Sequence, residues 1–368
     1  EGFEGSQDWD LFLRATEKLN RGNIIHIPKI LYHWRATSVS TAASCNNKDY
    51  SKESALKALE EHHYRTKSGG KIKELDSGYF KTHYHSPKDL KSTIIIPTRN
   101  GNEVLQRCLS SIYKYTNQSD CEIIIIDNGS DCKKTKNLLL NFKKKNKNLF
   151  IIEDDSIFNF SALNNNAVKR SNHNIVVFLN DDTEILCNNW LNELMSNANR
   201  PEIGAVGGKL LYPNGTIQHA GVILGIGGVA GHGFRTMARE TPEQMNRANI
   251  AHNLSAVTGA CLAVEKSKFI KVGGFDEKYL KVAFNDVDLC LKLMKEGYEN
   301  LYLPQVIIKH HESYSRGLED TQEKQLRFIK ETETMKKRWG KLLLNDPYYN
   351  ENFSLDSEQF QLTGKPRV

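Results

Sequence analysis

The stretch that most constrains the fold is residues 174–184, which reads NIVVFLNDDTE. Its apolar run, 175–179, is too short for a surface helix and is typical of a strand buried on both faces of a parallel sheet. The run stops at Asn180, Asp181 and Asp182. Ligands of open α/β sheets bind outside the carboxyl ends of the strands. The two carboxylates therefore indicate a seat for a hard cation that holds phosphate oxygens, with a solvated Asn-Asp turn as the alternative.

Three further apolar runs precede this strand and alternate with helical patterns. The predicted strands are 93–97, 121–126 and 148–152, and the predicted helices are 102–115, 134–145 and 161–170. Strands that alternate with helices in this way predict an α/β fold with a doubly wound, mostly parallel sheet and right-handed crossovers. Strand ends would then place Asp127, Asp155 and the 181–182 pair along one edge.

The second half of the chain is less regular. We predict strands over 203–211 and 258–264, helices over 266–272, 289–295 and 322–344, and a tail without regular structure from 346. The segment 218–233 is rich in glycine and contains a literal G-x-G-x-x-A. This match lies too far from the first strand to indicate a dinucleotide site. A flexible loop beside a bound ligand explains these glycines better.

Composition narrows the function classes. The formal net charge of +6 is too small to indicate a nucleic-acid partner, although it favours anionic ligands. The seven cysteines are scattered without a C-x-x-C pair, which favours a reducing cytoplasm over a disulfide framework or a zinc site. We find no apolar run long enough to span a bilayer and no signal-peptide pattern.

An internal repeat defines the domain organisation. Residues 7–14 (QDWDLFLR) resemble residues 285–292 (NDVDLCLK), and each copy is followed by a proline, an apolar strand and a histidine. The repeat indicates two related domains in tandem. We therefore assign 1–48 to the end of a preceding sister domain and 49–91 to a helical linker. The main domain is 92–318, followed by a C-terminal helix and tail over 319–368.

The order of the motifs resembles that of family 2 glycosyltransferases, the inverting enzymes with the GT-A fold. It is most similar to the bacterial branch that builds O-antigen, capsule and rhamnose-containing polysaccharides. Nine motifs carry the resemblance: 94–101 (IIIPTRNG), 126–130 (IDNGS), 159–165 (NFSALNN), 179–184 (LNDDTE), 218–221 (QHAG), 258–260 (TGA), 273–276 (GGFD), 285–289 (NDVDL) and 311–317 (HESYSRG). Each motif alone is weak, but nine in the family's order are specific.

The resemblance implies a nucleotide-diphosphate sugar bound across the sheet edge. Asp182 would bind Mn²⁺ or Mg²⁺ as part of a DxD-like motif, and the choice between His310 and His311 as a further metal ligand stays open. The residues implied in binding the nucleotide sugar are Pro97, Thr98, Arg99, Asn100, Asp127, Asn128, Asn164, Asp181 and Arg316.

The resemblance also implies a catalytic base. An inverting transferase needs a group that removes the proton of the acceptor hydroxyl, and the family's base falls on Asp286. The acid that precedes it in the family is Asn285 here, which removes a like charge beside the base. The donor would be a UDP- or dTDP-sugar, with rhamnose and hexoses both open. The acceptor would be a glycan or lipid-linked glycan at the cytoplasmic face of the cell membrane, and peripheral attachment to that membrane stays open.

Three rival functions can be weighed from the residues. A nucleotidyltransferase would carry a glycine-rich loop with arginine directly after the first strand, where this chain has Pro97. A catalytically degenerate glycan-binding or scaffold subunit is disfavoured by the intact Asp181, Asp182 and Asp286. A hydride-transferring enzyme depends only on the glycine match in 218–233.

Overall fold

The computed structural model describes residues 2–33, 49–75, 77–312 and 321–367. Within them the chain forms two compact units, Glu1–His85 and Ser86–Val368. The sequence-based boundary between the linker and the main domain, at 91, is close to this division. The origin of residues 1–48 as the end of a sister domain stays a prediction.

The first unit contains two helices and a hairpin: α1 (Gln7–Thr16), α2 (Asp49–Thr66), β1 (Gly70–Glu74) and β2 (Phe80–Tyr84). The Glu17 carboxylate joins the end of α1 to α2, because it accepts hydrogen bonds from Arg65 at 2.8 Å and lies 2.9 Å from Nδ1 of His62. The apolar strand predicted in the first copy of the repeat is wrong for its described part, since residues 24–33 form no strand and their apolar side chains are largely exposed.

The second unit is built on one ten-stranded mixed sheet. Its strands are β3 (Ser92–Thr98), β4 (Cys121–Asp127), β5 (Leu149–Glu153), β6 (Ile175–Leu179), β7 (Thr183–Ile185), β8 (Ile203–Leu211), β9 (Ile217–His219), β12 (His252–Leu254), β13 (Cys261–Glu265) and β14 (Glu299–His310). The order is β12-β14-β8-β13-β6-β3-β4-β5, with β7 on β14 and β9 on β8. A separate hairpin pairs β10 (Val222–Leu224) with β11 (Ala230–His232).

Helices cover both faces of this sheet. They are α3 (Asn102–Tyr115), α4 (Lys133–Lys145), α5 (Phe160–Arg170), α6 (Trp190–Ala198), α7 (Glu243–Asn246), α8 (Lys266–Lys271), α9 (Asn285–Lys295) and α10 (Gln322–Leu344). Alternate residues of β3 belong to opposite layers: Ile94 and Ile96 pack with α3 and α6, whereas Ile95 packs with α5 and α9. This two-sided burial explains the uninterrupted apolar runs.

The predicted α/β class and doubly wound arrangement are confirmed, with differences in the second half. Strands β6, β3, β4 and β5 are parallel, but β13 runs antiparallel between β6 and β8. The strand predicted over 258–264 is Cys261–Glu265. Helix α9 begins at Asn285 instead of 289. Its acidic residues Asp286 and Asp288 lie in the first turn, where carboxylates complement the helix dipole.

The tail after α10 has little regular structure, as predicted, but its side chains are packed. Tyr349, Phe353 and Phe360 contact one another through their rings. Buried Asp346 accepts hydrogen bonds from the Leu224 N–H at 2.8 Å and the Ser255 hydroxyl at 2.6 Å. Across the described ranges, none of the helices combines the length and apolar character needed to span a membrane.

Candidate active site

A cavity of about 580 Å³ opens where β3 and β6 end. Four parts of the second unit contribute to its walls: the strand ends, the hairpin residues 230–232, the first turn of α9 and the start of α10. The cavity therefore lies at the carboxyl edge of the parallel strands.

The first carboxylate of the strand-end pair is fixed to the β3 loop. The Thr98 hydroxyl donates a 2.6 Å hydrogen bond to Oδ2 of Asp181. A Cβ atom at Gly101 would lie 2.5 Å from the same oxygen, so a side chain at this position would displace the carboxylate. These contacts bring two predicted donor-site residues, Thr98 and Asp181, into one hydrogen-bonded pair.

The second carboxylate of the pair faces a histidine. Oδ1 of Asp182 lies 3.0 Å from Nε2 of His310, the last residue of β14. The other ring nitrogen of His310, Nδ1, is 2.7 Å from the amide oxygen of Gln218, whose nitrogen in turn donates to Glu312 at 3.1 Å. Because an amide oxygen only accepts, Nδ1 of His310 carries a hydrogen. In the neutral ring Nε2 then has a lone pair for a cation, and in the imidazolium form it donates to Asp182.

This pair fits a divalent cation. Oδ1 of Asp182 is buried and accepts no hydrogen bond when His310 is neutral, because the lone pair of Nε2 then faces it at 3.0 Å. Burial by itself raises the pKa of Asp182. The hydrogen bond and charge of the protonated form of His310, a backbone hydrogen bond and the interaction with His311 together bring this pKa below its ordinary value. A carboxylate and an imidazole oriented by an amide are ordinary metal ligands. In the part of the chain that the structure describes, no group of three or more His, Cys, Asp or Glu side chains could hold a metal.

The structure separates the two adjacent histidines. His310 faces Asp182, whereas Nε2 of His311 lies 3.5 Å from the carboxylate of Glu184. Of the two histidines between which the resemblance leaves the further metal ligand open, His310 thus lies against Asp182, whereas His311 points to a different carboxylate.

The predicted base lies on the same cavity. Half-buried Asp286 accepts a hydrogen bond at Oδ2 from the Gly259 N–H and one at Oδ1 from the Val287 N–H, both at 2.8 Å. A Cβ atom at Gly259 would lie 3.3 Å from the Cβ of Asp286, which explains a glycine at this close approach. The two N–H groups fix the orientation of the carboxylate.

Helix α10 supports the loop that leads into α9. The buried carboxylate of Glu331 accepts hydrogen bonds from the Val282 N–H at 2.8 Å and the Ala283 N–H at 3.1 Å. Arg338 donates to fully buried Asp288 at 2.7 Å. The terminal helix therefore positions the turn that carries Asp286.

Two predicted donor-site residues serve to shape the loops. The side-chain oxygen of Asn100 accepts hydrogen bonds from the Asp131 and Cys132 N–H groups at 3.1 and 3.0 Å, and Asp127 accepts one from the Ser130 N–H at 3.0 Å. Neither Asn100 nor Asp127 belongs to the cavity wall that the described residues form.

The remaining predicted donor-site residues also divide into those that line the cavity and those that do not. Pro97, Arg99 and Asn128 line the cavity. Asn164 lies inside α5, where its amide donates to the Phe160 carbonyl at 2.8 Å, and it is not part of the cavity wall. Arg316 lies outside the described residues.

Sequence reasoning missed several residues of this site. Gln218, which orients His310, and His232, which lines the cavity, were seen only as parts of a motif and a glycine-rich segment. Lys324 and Arg327 of α10 also line the cavity. The pattern of α10 identifies a helix but carries no signal that these residues reach the sheet edge.

The fold is shared with known glycosyltransferases. A structure of GalNAc-T7 with UDP, GalNAc and Mn²⁺ superimposes with a TM-score of 0.57 at 16% sequence identity, over 73% of this chain and 50% of that one. This likeness shows a GT-A-type fold. Residues 93–273 match the family described as Glycosyl transferase family 2. Residues 93–273 belong to this family of glycosyltransferases.

Two relatives are similar over most of the chain. The protein y4gI of Sinorhizobium fredii is 43% identical over 367 residues, which are 99% of this chain and 40% of that protein. The O-antigen biosynthesis protein RfbC of Myxococcus xanthus is 34% identical over 319 residues, 86% of this chain and 24% of that protein. The chain thus spans less than half the length of both relatives.

Proposed function

We propose that this chain transfers a sugar from a nucleotide-diphosphate donor to a hydroxyl group of a growing surface glycan, with a divalent metal and with inversion. The observation that supports this best is the placement of the Asp182–His310 pair and the Asp286 carboxylate on one cavity at the sheet edge. The name of RfbC supports an O-antigen-type glycan or its lipid-linked form as the acceptor.

On the donor side, Asp182 and His310 would hold Mn²⁺ or Mg²⁺. Such a cation, when bound, neutralises charge on the departing diphosphate. Two protein ligands are enough, because these ions are commonly bound through one or two carboxylates plus substrate phosphates. Thr98, Arg99 and Asp181 line the same cavity, and in this proposal they bind the nucleotide and the sugar. The donor is a UDP- or dTDP-sugar in this proposal.

The basic residues of α10 add positive charge to the donor side. Lys324 and Arg327 line the cavity, and Arg327 also lies 3.4 Å from the Glu331 carboxylate. A guanidinium and an ammonium group near a diphosphate favour its binding. This role would supplement the one that the family resemblance gives to Arg316.

On the acceptor side, Asp286 would act as the base. The acceptor oxygen forms a bond to the anomeric carbon while the bond from that carbon to the diphosphate oxygen breaks. The diphosphate leaves with the electron pair, and the hydroxyl proton passes to Asp286. The N–H groups of Gly259 and Val287 hold this carboxylate in one orientation. Asn285 donates its amide to the Val282 carbonyl and adds no charge.

Thermal unfolding with UDP- and dTDP-sugars, each with and without Mn²⁺, tests this proposal. A donor at a hundred times its dissociation constant stabilises the folded state by about 2.7 kcal/mol. We expect a Mn²⁺-dependent rise in melting temperature that is lost in Asp182→Ala and His310→Ala. The shift is retained in Asp286→Asn, whose change lies on the acceptor side.

His311→Ala is the matched control for the metal. Because His311 faces Glu184, this variant should keep the Mn²⁺-dependent shift. Loss of the shift in His311→Ala but not in His310→Ala would contradict the assignment of the metal ligand. Absence of any shift at donor concentrations far above the expected dissociation constant would contradict the proposed function.

A further inference from the structure

A pair of histidines at the cavity, His219 and His232, has no part in the chemistry proposed above. Nδ1 of His219 in β9 lies 2.9 Å from Nδ1 of His232 in β11, and the two rings are nearly perpendicular. His219 is fully buried, whereas His232 is half-buried and lines the cavity that also holds Asp286. A hydrogen-bonded imidazole pair with one member on the substrate side is a candidate for substrate recognition.

The glycine-rich segment builds this pair. Gly221 joins β9 to β10 with a φ of +98°, and a Cβ atom there would lie 2.1 Å from the side chain of Leu254. The Gly233 N–H donates to the Gly221 carbonyl at 2.9 Å, and Val222 pairs with His232 across the hairpin. The chain therefore reverses direction at Gly221 and places His232 against His219. The glycine-rich segment 218–233 thus forms a defined hairpin instead of the flexible loop that the sequence predicts.

Hydrogen-bond satisfaction fixes the tautomers. Two facing Nδ1 atoms at 2.9 Å need one hydrogen between them, so one ring donates and the other accepts. Nε2 of His219 is buried without a hydrogen-bond partner. A buried N–H without an acceptor is rarer in proteins than an under-satisfied acceptor. His219 therefore carries its hydrogen on Nδ1, and His232, which accepts at Nδ1, carries its hydrogen on Nε2.

Both imidazoles are neutral at physiological pH. Burial lowers the pKa of His219 well below its ordinary value, and burial is also the main cause of the lowered pKa of His232. The charged groups that act on His232 are Asp286, then Arg235, Glu312 and His310 in decreasing order. His232 thus offers an uncharged N–H donor on the side of the cavity where Asp286 lies.

We propose that His232 binds the acceptor sugar by donating its Nε2–H to an acceptor oxygen next to Asp286, and that His219 is a positioning residue that sets this tautomer. The inference depends on the proposed function. A neutral donor suits a sugar hydroxyl or ring oxygen, because it holds the oxygen without adding charge beside the base. In the described residues, His232 forms no hydrogen bond other than the one to His219.

Kinetics of the full chain with UDP- and dTDP-sugars as donors and p-nitrophenyl glycosides as acceptors test the role of His232. His232→Ala should lower kcat/KM for the acceptor about ten- to hundredfold, mainly through KM, as expected for one lost hydrogen bond to substrate. Hydrolysis of the donor by water and the Mn²⁺-dependent thermal shift should stay unchanged. His232→Gln, which keeps an N–H donor, should recover most of the activity.

The positioning role of His219 has its own pair of variants. His219→Leu fills the space but cannot donate to His232, so it should raise the acceptor KM in the same direction as His232→Ala. His219→Gln keeps a donor and should restore the wild-type KM. Equal losses of donor hydrolysis and acceptor transfer in these variants would indicate a merely structural role and overturn the proposal.

Nitrogen-15 NMR of the unmodified protein gives an answer that needs no acceptor. The His232 and His219 signals, identified by their loss in His232→Ala and His219→Gln, should show hydrogen on Nε2 of His232 and on Nδ1 of His219. The reverse tautomers would overturn the proposal. If the wild-type protein neither binds nor hydrolyses any donor, the proposed function fails. If it does both and His232→Ala transfers normally, only the present inference fails.

Discussion

Helices α1 and α9 share a sequence pattern but differ in burial. Both contain an Asp-x-Asp-Leu sequence, and both form an ion pair one turn apart: Asp10 with Arg14 at 2.9 Å and Asp288 with Lys292 at 3.2 Å. Leu289 of α9 is fully buried, whereas its counterpart Leu11 of α1 is 57% exposed. The local sequence therefore determines the helix and its ion pair. The burial of its apolar side chains depends on the elements that pack against it.

The difference lies in what covers each helix. In α9, Val287, Leu289 and Leu293 belong to the layer that packs the sheet against α5 and α10. Asp288 gains a further partner in Arg338 of α10. In the described part of the first unit no sheet of this size exists. The same amphipathic pattern can thus form a buried helix or leave apolar side chains exposed, depending on its surroundings.

The largest expected effect is on activity, and it should appear for a change in α9 but not for the matching change in α1. Asp286→Asn removes the proposed base and should lower kcat for transfer about 10³-fold. Asp8→Asn, the same change at the matching position of α1, should leave kcat at the wild-type value. Turnover of donor with p-nitrophenyl glycosides measures both. Similar losses in the two variants would show that the copies share a function.

The second effect tests the buried carboxylate. Asp288→Ala leaves Arg338 and Lys292 without their shared acceptor and should lower the free energy of unfolding by about 4 kcal/mol. Asp10→Ala breaks one pair with a half-exposed arginine and should cost about 0.5 kcal/mol. Urea titration followed by circular dichroism gives both values. A cost above about 2 kcal/mol for Asp10→Ala would indicate an unseen partner of α1.

A third pair of variants compares apolar burial. Leu291→Ala creates a cavity at a fully buried position and should cost about 3 kcal/mol. Leu11→Ala changes a side chain that is 57% exposed and should alter stability by less than about 0.5 kcal/mol. The same urea titration applies. If Leu11→Ala proves as costly as Leu291→Ala, α1 is covered in solution.

The smallest effect concerns the basic ends of the two ion pairs. Lys292→Met should cost about 1.5 kcal/mol, because the ammonium pairs with a fully buried carboxylate. Arg14→Met should cost about 0.3 kcal/mol, the value of an exposed pair one helical turn apart. Thermal unfolding resolves the change expected for Lys292→Met. A greater loss of stability in Arg14→Met than in Lys292→Met would contradict the difference in burial between the two helices.

Sequence predicted the first half of the sheet well for a physical reason. Strands such as Ser92–Thr98 are buried on both faces, so their composition alone is distinctive. Of the strands it missed, β7, β9, β10, β11 and β12 have three residues each, which is too few for a periodic pattern, and β1 and β2 have five each. The pairing of β7 and β12 also depends on a distant segment, β14, as when Thr183 of β7 lies opposite His310.

The same limit applies to the site. Motifs identified Asp182 and Asp286, but the choice between His310 and His311 depends on the end of β14. Adjacent residues there point to opposite faces, and only the register with β7 decides which one meets Asp182. Gln218, which orients His310, is distant in the chain, and no local pattern links the two.

The hydrogen bonds from Val282 and Ala283 to Glu331 have a consequence for recombination and enzyme redesign. A graft that exchanges only the acceptor-side turn would carry two N–H donors away from their carboxylate and leave that carboxylate behind in the recipient. Residues 282–288 and 331–338, although separated in the sequence, form one exchangeable block. A redesign of this turn should therefore move both segments together.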